Sequence, residues 1–493
     1  MITLKKTTDP KQENPVQKLN PKPVFHYFEE LTKIPRCSGN EKQVSDYLVH
    51  FAKEKKLDVF QDKALNIIIK KPGTAGYETS PPVIIQGHMD MVCEKSEKSG
   101  HDFSKDPISL KIDGDFLRAT GTTLGADNGI GVAYGMAILD SEDIPHPPVE
   151  LLVTTEEETG MFGAAALKAE HLTGKALLNI DAEEEGVFYV SCAGGLIFTS
   201  EFDTYWEESS DKGLCIKISG LKGGHSGLEI IRQRANAIAL LGRILDAARK
   251  AGDFYIAGIS GGSKHNAIAR EAQVTVAADA LTLKKIKAVV MNLFREMKKE
   301  FTAVDPDLKV SVASVDPVAM QLDRVSTERL IDFLLIVPDG VQSMSKDLEN
   351  LVESSLNLGV LEQSEESIKI IISVRSSVDS ILEEITRGLE SLAKRVNAKS
   401  SRTGEYPAWQ YEADSRIRDL CLSAYKETFG RDAEIRAIHA GLECGLFKEK
   451  LPDTDMISFG PNLYNAHTPD EHLSISSTAH MWVFLKAVLA KLK

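Results

Sequence analysis

A histidine and an aspartate close a short apolar run, Val83-Ile84-Ile85-Gln86-Gly87-His88-Met89-Asp90. The β-branched residues after Pro81-Pro82 predict a buried strand. If the extended backbone continues through Met89, the two side chains fall on the same side. A carboxylate beside an imidazole can fix which ring nitrogen is free to bind a metal, and can raise its basicity. By itself H-x-D is more often a solvated turn, so the reading depends on further ligands. Two more strand ends supply them. Val149 to Thr155 runs into Glu156-Glu157-Glu158-Thr159-Gly160, and Ala176 to Ile180 runs into Asp181, followed by Glu183-Glu184-Glu185. Adjacent carboxylates are usually a solvated face, which is a poor explanation directly after a buried strand. Ligands of open parallel sheets bind outside the carboxyl ends of the strands, and His88, Glu157/Glu158 and Asp181 stand at three such ends.

Between them lies Gly121-Thr122-Thr123-Leu124-Gly125-Ala126-Asp127-Asn128-Gly129-Ile130-Gly131, entering an apolar helix over Val132 to Leu139. Such a turn could cradle phosphate, but the G-x-G-x-x-G order is missing and Asp127 would repel an anion. It could equally be a capped helix start, or a carboxylate held beside a cation with glycines allowing close backbone approach. Near the C-terminus a strand at Asp455 to Gly460 leads to a loop carrying His467. His88, Asp127, Glu158, Asp181 and His467, with Asp90 and Glu157 beside them, can hold two divalent ions if one carboxylate bridges. Nitrogen and oxygen ligands without thiolate suit catalytic zinc, cobalt or manganese better than a closed structural zinc site. Two such ions lower the pKa of a shared water and polarise a carbonyl, and a neighbouring carboxylate that is not a ligand can take the proton.

The elements that must position these residues belong to a chain of 493 residues, long enough for at least two domains. Hydrophobic content of 42% and charged content of 26% are those of an ordinary globular protein. A formal net charge of -14 argues against a general nucleic-acid binder. Six cysteines (Cys37, Cys93, Cys192, Cys215, Cys421, Cys444), with no C-x-x-C pair, suit reduced thiols better than a disulfide framework. With no signal-peptide core and no run long enough to span a bilayer, a cytoplasmic location without membrane contact is expected. Residues 1–20 read as a flexible tail. A helix is expected over Pro23 to Ile34 and a second over Glu41 to Lys55, capped by Asn40 or Ser38. Strands follow at Leu57 to Phe60 and Asn66 to Ile69, which makes the opening α/β. After Cys192-Ala193-Gly194-Gly195 the character changes. Strands at Leu214 to Ser219, Glu271 to Ala278 and Leu308 to Ala313 alternate with helices at Ala235 to Ala248 and Leu283 to Met297. A similar order recurs through Leu330 to Val337, Asn350 to Leu358, Ser367 to Val374 and Val378 to Val396. This predicts an inserted second α/β domain of two halves, although strand and helix are hard to separate in short apolar runs. A last helix over Thr478 to Lys491 would close the first domain.

The stretches G-H-M-D-M-V, T-L-G-A-D-N-G-I-G, E-E-T-G-M, N-I-D-A-E-E-E-G, G-G-H-S-G, H-A-G-L-E-C-G and N-A-H-T-P-D-E occur in this order. With them the chain resembles the aminoacyl-histidine dipeptidases, also called cytosol non-specific or beta-alanyl-histidine dipeptidases, among the cocatalytic zinc exopeptidases. The resemblance runs from about Pro23 to the C-terminus. It implies a zinc-exopeptidase-like α/β catalytic domain with a mostly parallel central sheet over 21–195 and 405–493. The lid and dimerisation domain inserted at 196–404 would then have two ferredoxin-like halves. It implies that His88, Glu158, Asp181 and His467 are metal ligands, that Asp127 bridges, and that a cis peptide follows it. Asp90 would orient a ligand and Glu157 act as general base, the register being set by Thr159-Gly160-Met161. His225 would stabilise the tetrahedral intermediate, in relatives at the active site of the partner subunit of a homodimer. Asn266, Arg375 and Gly441 would contact the substrate's carboxylate end, an arginine fork being a natural carboxylate partner. The implied activity is hydrolysis of dipeptides, Xaa-His and broader, by a hydroxide activated at two divalent ions. Zinc comes first among these ions, with cobalt or manganese as alternatives. A related exopeptidase acting on tripeptides or N-acyl amino acids is the nearest alternative, and a non-catalytic metal-binding scaffold the alternative of another class. Around Asn266 the chain reads G-G-S-K-H-N-A-I-A-R-E-A, where relatives tend to have leucine-arginine before the asparagine and proline after the isoleucine. Lys264, His265 and Ala269 therefore leave side-chain preference open. His439 reads as a satisfied loop histidine and His472 as a surface residue.

Overall fold

The structure, a computed structural model, describes residues 15–493. The chain divides into two compact units, one comprising residues up to Val190 with Glu412–Arg436 and Leu446–Lys493, the other Ser191–Tyr411 with Ala437–Gly445. The expected tail lies, over residues 1–14, outside the described residues. Pro15–Lys18 is a short 3-10 helix with Val16 buried.

The first unit is built on an eight-stranded sheet. Its order is Asp58–Gln61, Ile67–Lys71, Val149–Thr154, Val83–His88, Ala176–Asn179, Asp455–Ser458, Val187–Cys192 and Glu434–Ile438. The four central strands, Val149–Thr154 through Asp455–Ser458, run parallel. All six residues of Val83–His88 are buried, which is why this strand reads as a continuous apolar run rather than an alternation. The Ala126–Asp140 helix is apolar on every side and buried along its length, as a helix without a solvent face must be. Between the central strands, Gln86 accepts from Asn179 Nδ2 at 2.5 Å and donates to Thr154 Oγ1 at 3.2 Å, tying three strand ends together.

Three local features differ from the sequence reading. Neither Asn40 nor Ser38 caps the Lys42–Glu54 helix, whose N-cap is Glu41 without a side-chain cap bond. Ser38 instead donates to Asp90 Oδ2 at 2.7 Å. Cys37 and Cys93 form a disulfide, so the expectation of six reduced thiols is corrected. Residues 56 apart become neighbours because Cys37 bridges to Met91 beside the central strand, which no spacing rule reveals. A hairpin of Leu110–Asp113 and Phe116–Ala119 joins Leu463–Tyr464 and His472–Ser474 in a four-stranded sheet. That sheet pins both ends of the loop bearing His467.

The second unit is built on a nine-stranded antiparallel sheet, in which two βαββαβ halves supply eight strands and Gly340–Met344 adds a ninth against Val352–Gln363. In one half the strand order is Lys309–Val315, Lys212–Ser219, Ala272–Ala278, Tyr255–Gly262. In the other it is Val352–Gln363, Ser367–Ser376, Gly194–Asp203, Lys399–Tyr406. Both are ferredoxin-like, and Tyr255–Gly262 joins them edge to edge with Val352–Gln363. The halves are nested, because the strand Gly194–Asp203 precedes the whole first half. The ambiguous Leu330 to Val337 run lies in the Arg324–Ile336 helix and its C-cap. Among the described residues no helix is long and apolar enough to cross a membrane.

Candidate metal site

Asp127 occupies the middle of a cluster in the first unit. Its Oδ1 lies 3.1 Å from His88 Nε2 and its Oδ2 lies 3.0 Å from His467 Nε2. Each histidine is shared with one further carboxylate: His88 Nε2 is 3.5 Å from Asp181 Oδ1, and His467 Nε2 is 2.9 Å from Glu158 Oε2. Two three-residue groups thus meet at Asp127, namely His88-Asp127-Asp181 and Asp127-Glu158-His467, each close enough to hold one ion. Glu157 joins His88 and Glu158 in a third such group. The strand ends deliver His88 and Asp181, and the entrance of the Ala126–Asp140 helix delivers Asp127, after which the peptide to Asn128 is cis. Glu157 and Glu158 open a single helical turn, Glu157–Gly160, bracketed by Glu156 at φ 49° and Met161 at φ 57°. His467 itself has φ 64°. Left-handed backbone at non-glycine residues costs of order 1–3 kcal/mol and gathers where function demands a particular direction.

Asp90 is fully buried and meets the other ring nitrogen of His88. Its Oδ1 lies 3.2 Å from His88 Nδ1. Its oxygens also accept the amides of Glu157 and Glu158 at 3.1 and 3.3 Å. One carboxylate therefore orients the imidazole and anchors the turn bearing the two glutamates.

Burial and neighbouring charges set the titration of each group in the cluster. Burial and the neighbouring Asp127 carboxylate push the Glu183 carboxyl up to about 8, and burial holds Asp181 at about 6 against the pull of His88. Hydrogen bonds to Asp127 and Glu158 raise His467 to about 11. Burial opposes protonation of His88, but Asp181 and Asp127 outweigh it. Burial likewise opposes ionisation of Asp127, and the two histidines outweigh it. Glu158 Oε1 and Asp181 Oδ1 are buried without a hydrogen-bond partner, atoms that an ion would satisfy. Two imidazoles and three carboxylates fit a pair of divalent ions.

The remaining expected residues lie in the second unit. His225 Nδ1 accepts the amides of Gly227 and Leu228 at 3.2 and 3.1 Å, so the proton of the neutral ring sits on Nε2. Burial and the nearby Arg375 guanidinium lower its pKa. Arg375 donates to Tyr406 Oη at 2.5 Å while its Nε is buried and unpartnered. The backbone carbonyl of Asn266 pins the G-G-H-S-G loop by accepting Ser226 N–H at 2.9 Å. Gly441 lies between the Glu434–Ile438 strand and the Glu443–Lys450 helix. Lys264 is exposed, His265 Nδ1 lies 3.1 Å from Ser373 Oγ, and Ala269 is buried.

Some functional neighbours escape a sequence reading. His439 is buried, with Nε2 2.7 Å from Ser355 Oγ and Nδ1 unpartnered. Burial, then Arg375, pushes it down to about 3. It is thus satisfied at one nitrogen only, and its place in H-A-G-L-E-C-G was the available signal. His472 is half-buried, its Nδ1 2.8 Å from the Asp470 carbonyl and its ring stacked on Tyr464. Arg36 and Glu471, both buried, touch the backbone around Asp127. Glu471 ends N-A-H-T-P-D-E, but nothing in the spacing tells its partners.

The chain is 39% identical over 479 residues to the cytosol non-specific dipeptidase of Escherichia coli strain K12, covering 97% of this chain and 99% of that protein. The crystal structure of aminoacylhistidine dipeptidase from Vibrio alginolyticus matches with a TM-score of 0.92 at 39% identity, covering 97% of this chain and 98% of the other. A tripeptidase from Staphylococcus aureus shares the fold, with a TM-score of 0.56 at 15% identity over 96% and 99% of the two chains. Residues 84–491, from the central strand through the last helix, match the peptidase family M20/M25/M40. On that span and that degree of identity, the chain belongs to peptidase family M20/M25/M40.

Proposed function

We propose that this chain is a dinuclear metallopeptidase that hydrolyses dipeptides, Xaa-His and broader. The observation that carries the reading is Asp127, whose two oxygens each face a different histidine, each histidine paired with its own second carboxylate. The names of the two relatives at 39% identity support the substrate class. His88 and Asp181 would hold one ion and Glu158 and His467 the other, with Asp127 shared between the two groups. When bound, two divalent ions, zinc first with cobalt or manganese as alternatives, would supply an acidified water and a Lewis acid for the scissile carbonyl.

Glu157, beside the ligands but not among them, takes a proton from the attacking water and returns it to the departing amine nitrogen. Asp90 keeps His88 and the Glu157-Glu158 turn in register. His225, neutral with its proton on Nε2, donates to the oxygen that gains charge as the carbonyl is attacked. The Arg375 fork takes the substrate's α-carboxylate, with Asn266 and Gly441 lining that end. The unit bearing His225 acts as a lid and dimerisation domain, and a homodimer supplies His225 to the partner's centre. A cytoplasmic location fits the relative from Escherichia coli.

Turnover of a panel of dipeptides, tripeptides and N-acyl amino acids by metal-replete protein tests the reading. Dipeptides should be cleaved with far higher kcat/KM than the rest. Cleavage confined to tripeptides or acylated amino acids would reassign the substrate, and bound metal without turnover would leave a scaffold.

A further inference from the structure

Two buried groups of opposite charge grip the peptide turn that delivers Asp127. Glu471 and Arg36 are each only 2% exposed. Glu471 Oε2 accepts the amides of Leu124 and Gly125 at 2.6 and 2.9 Å, and Oε1 those of Ala126 and Asp127 at 2.8 and 3.3 Å. From the other side, Arg36 Nη2 donates to the Gly125 carbonyl, and Nη1 donates to the carbonyls of Met89 and Asp90 at 2.9 and 3.1 Å. Gly125 is therefore held at its N–H by the carboxylate and at its C=O by the guanidinium. Its φ is +68°, and a Cβ there would stand 2.5 Å from Arg36 Nη2, so only glycine admits this approach. The same guanidinium fixes the backbone immediately after His88.

A further carboxylate among Asp90, Asp127, Glu158, Asp181 and Glu183 is electrostatically unfavourable unless its acceptors are needed. They are needed because four converging N–H donors require an acceptor-only group. A glutamine at this position would turn an NH₂ toward two of them. Glu471 also stands in the same loop as His467, so it joins one ligand loop to the turn bearing the shared carboxylate.

We propose that Glu471 and Arg36 are positioning residues that aim the two oxygens of Asp127 at two separate ions. The inference rests on the dinuclear reading above. Its test is titration of metal-free wild type, Glu471→Gln and Arg36→Lys with Co²⁺, following stoichiometry, affinity and the visible spectrum. Circular dichroism and thermal unfolding of the metal-free forms run alongside. Each folded variant should bind Co²⁺ roughly 10- to 100-fold more weakly, the usual cost of removing an outer-shell partner, with an altered spectrum. Adding Asp127→Asn to either should weaken binding no further than Asp127→Asn alone, because the pair acts through that carboxylate. A purely structural pair would lower the unfolding temperature and leave affinity and spectrum unchanged, which overturns the inference. If Glu471→Gln does not fold, Arg36→Lys puts the same question from the carbonyl side of the turn. Wild type binding fewer than two Co²⁺ would overturn the dinuclear reading itself, a result distinguishable from variants that match a two-metal wild type.

Discussion

At the scale of single residues, neighbours in sequence are given different tasks by direction alone. Glu158 reaches His467 at 2.9 Å, whereas Glu157 groups with His88 and Glu158 and not with Asp127. Glu158→Gln should therefore lower metal content together with activity. Glu157→Gln should keep both ions while turnover falls by ~10² or more. Metal analysis of the two purified proteins decides it, and the reverse pattern would shift the register by one. His439 makes a second prediction, this one about pH. Its folded-state pKa near 3 lies below the ordinary 6.5, through burial first and Arg375 second. The unfolded chain then binds a proton that the folded chain refuses, so this residue's contribution to stability is full above about 6.5 and fades as pH falls toward 3. Metal-free His439→Gln should lose less of its Tm between pH 7.5 and pH 5 than wild type does, and equal losses would rule the effect out. The candidate ligands His88, Asp127, Glu158 and Asp181 were legible because each closely follows an apolar strand or opens an apolar helix, and His467 because its loop follows a strand near the C-terminus. Glu471 was not, because it acts on backbone amides more than 340 residues away, and backbone leaves no pattern in a sequence.

At the scale of elements, the entrance of the Ala126–Asp140 helix is set by how closely it lies on the sheet. Asn128 donates to the Ile180 carbonyl at 2.6 Å. A Cβ at Gly131 would stand 2.3 Å from Asn128 Oδ1 and 2.5 Å from that same carbonyl oxygen. One turn along, the three atoms nearest a Cβ at Gly135 would all belong to the Leu151 side chain, the first at 2.2 Å. Gly131→Ala and Gly135→Ala should both destabilise by about 1–3 kcal/mol through overpacking. Only Gly131→Ala, which displaces the residue after Asp127, should also weaken metal binding. Thermal unfolding and metal titration of the pair check this, and equal metal affinities would refute it. An inserted second α/β domain of two halves was readable from apolar runs and their spacing, whereas the mostly parallel central sheet and the ferredoxin-like form of the halves were implied only by the family resemblance. The hairpin at Leu110–Asp113 and Phe116–Ala119 was not readable, since its strands are only four residues long, too short for their alternation to stand out from the flanking loops. The Cys37–Cys93 disulfide and the true partner of Ser38 were hidden for a related reason. Both depend on the loop after the first helix folding beside Met91, a tertiary event with no local signature.

At the scale of the whole molecule, the expected catalytic groups are divided between the two units, His225 in one and Glu157 with every candidate ligand in the other. If the chain forms a two-fold dimer and each His225 serves the partner's centre, the exchange is reciprocal, and complementation tests it. Glu157→Ala and His225→Ala proteins should each be nearly inactive. When their subunits exchange, a mixed dimer contains one site lacking both groups and one site with its own Glu157 and the partner's His225. Random exchange makes half the dimers mixed, and half the sites in those are complete, so activity should return to roughly a quarter of the wild-type level. If His225 works within its own chain, every site in every dimer lacks one group and mixing restores nothing. Exchange itself must be followed independently, for instance by native mass spectrometry of one protein carrying a heavier tag. A mixed dimer seen at its expected abundance, with activity still at the level of the single variants, would refute the reciprocal arrangement and return His225 to its own chain.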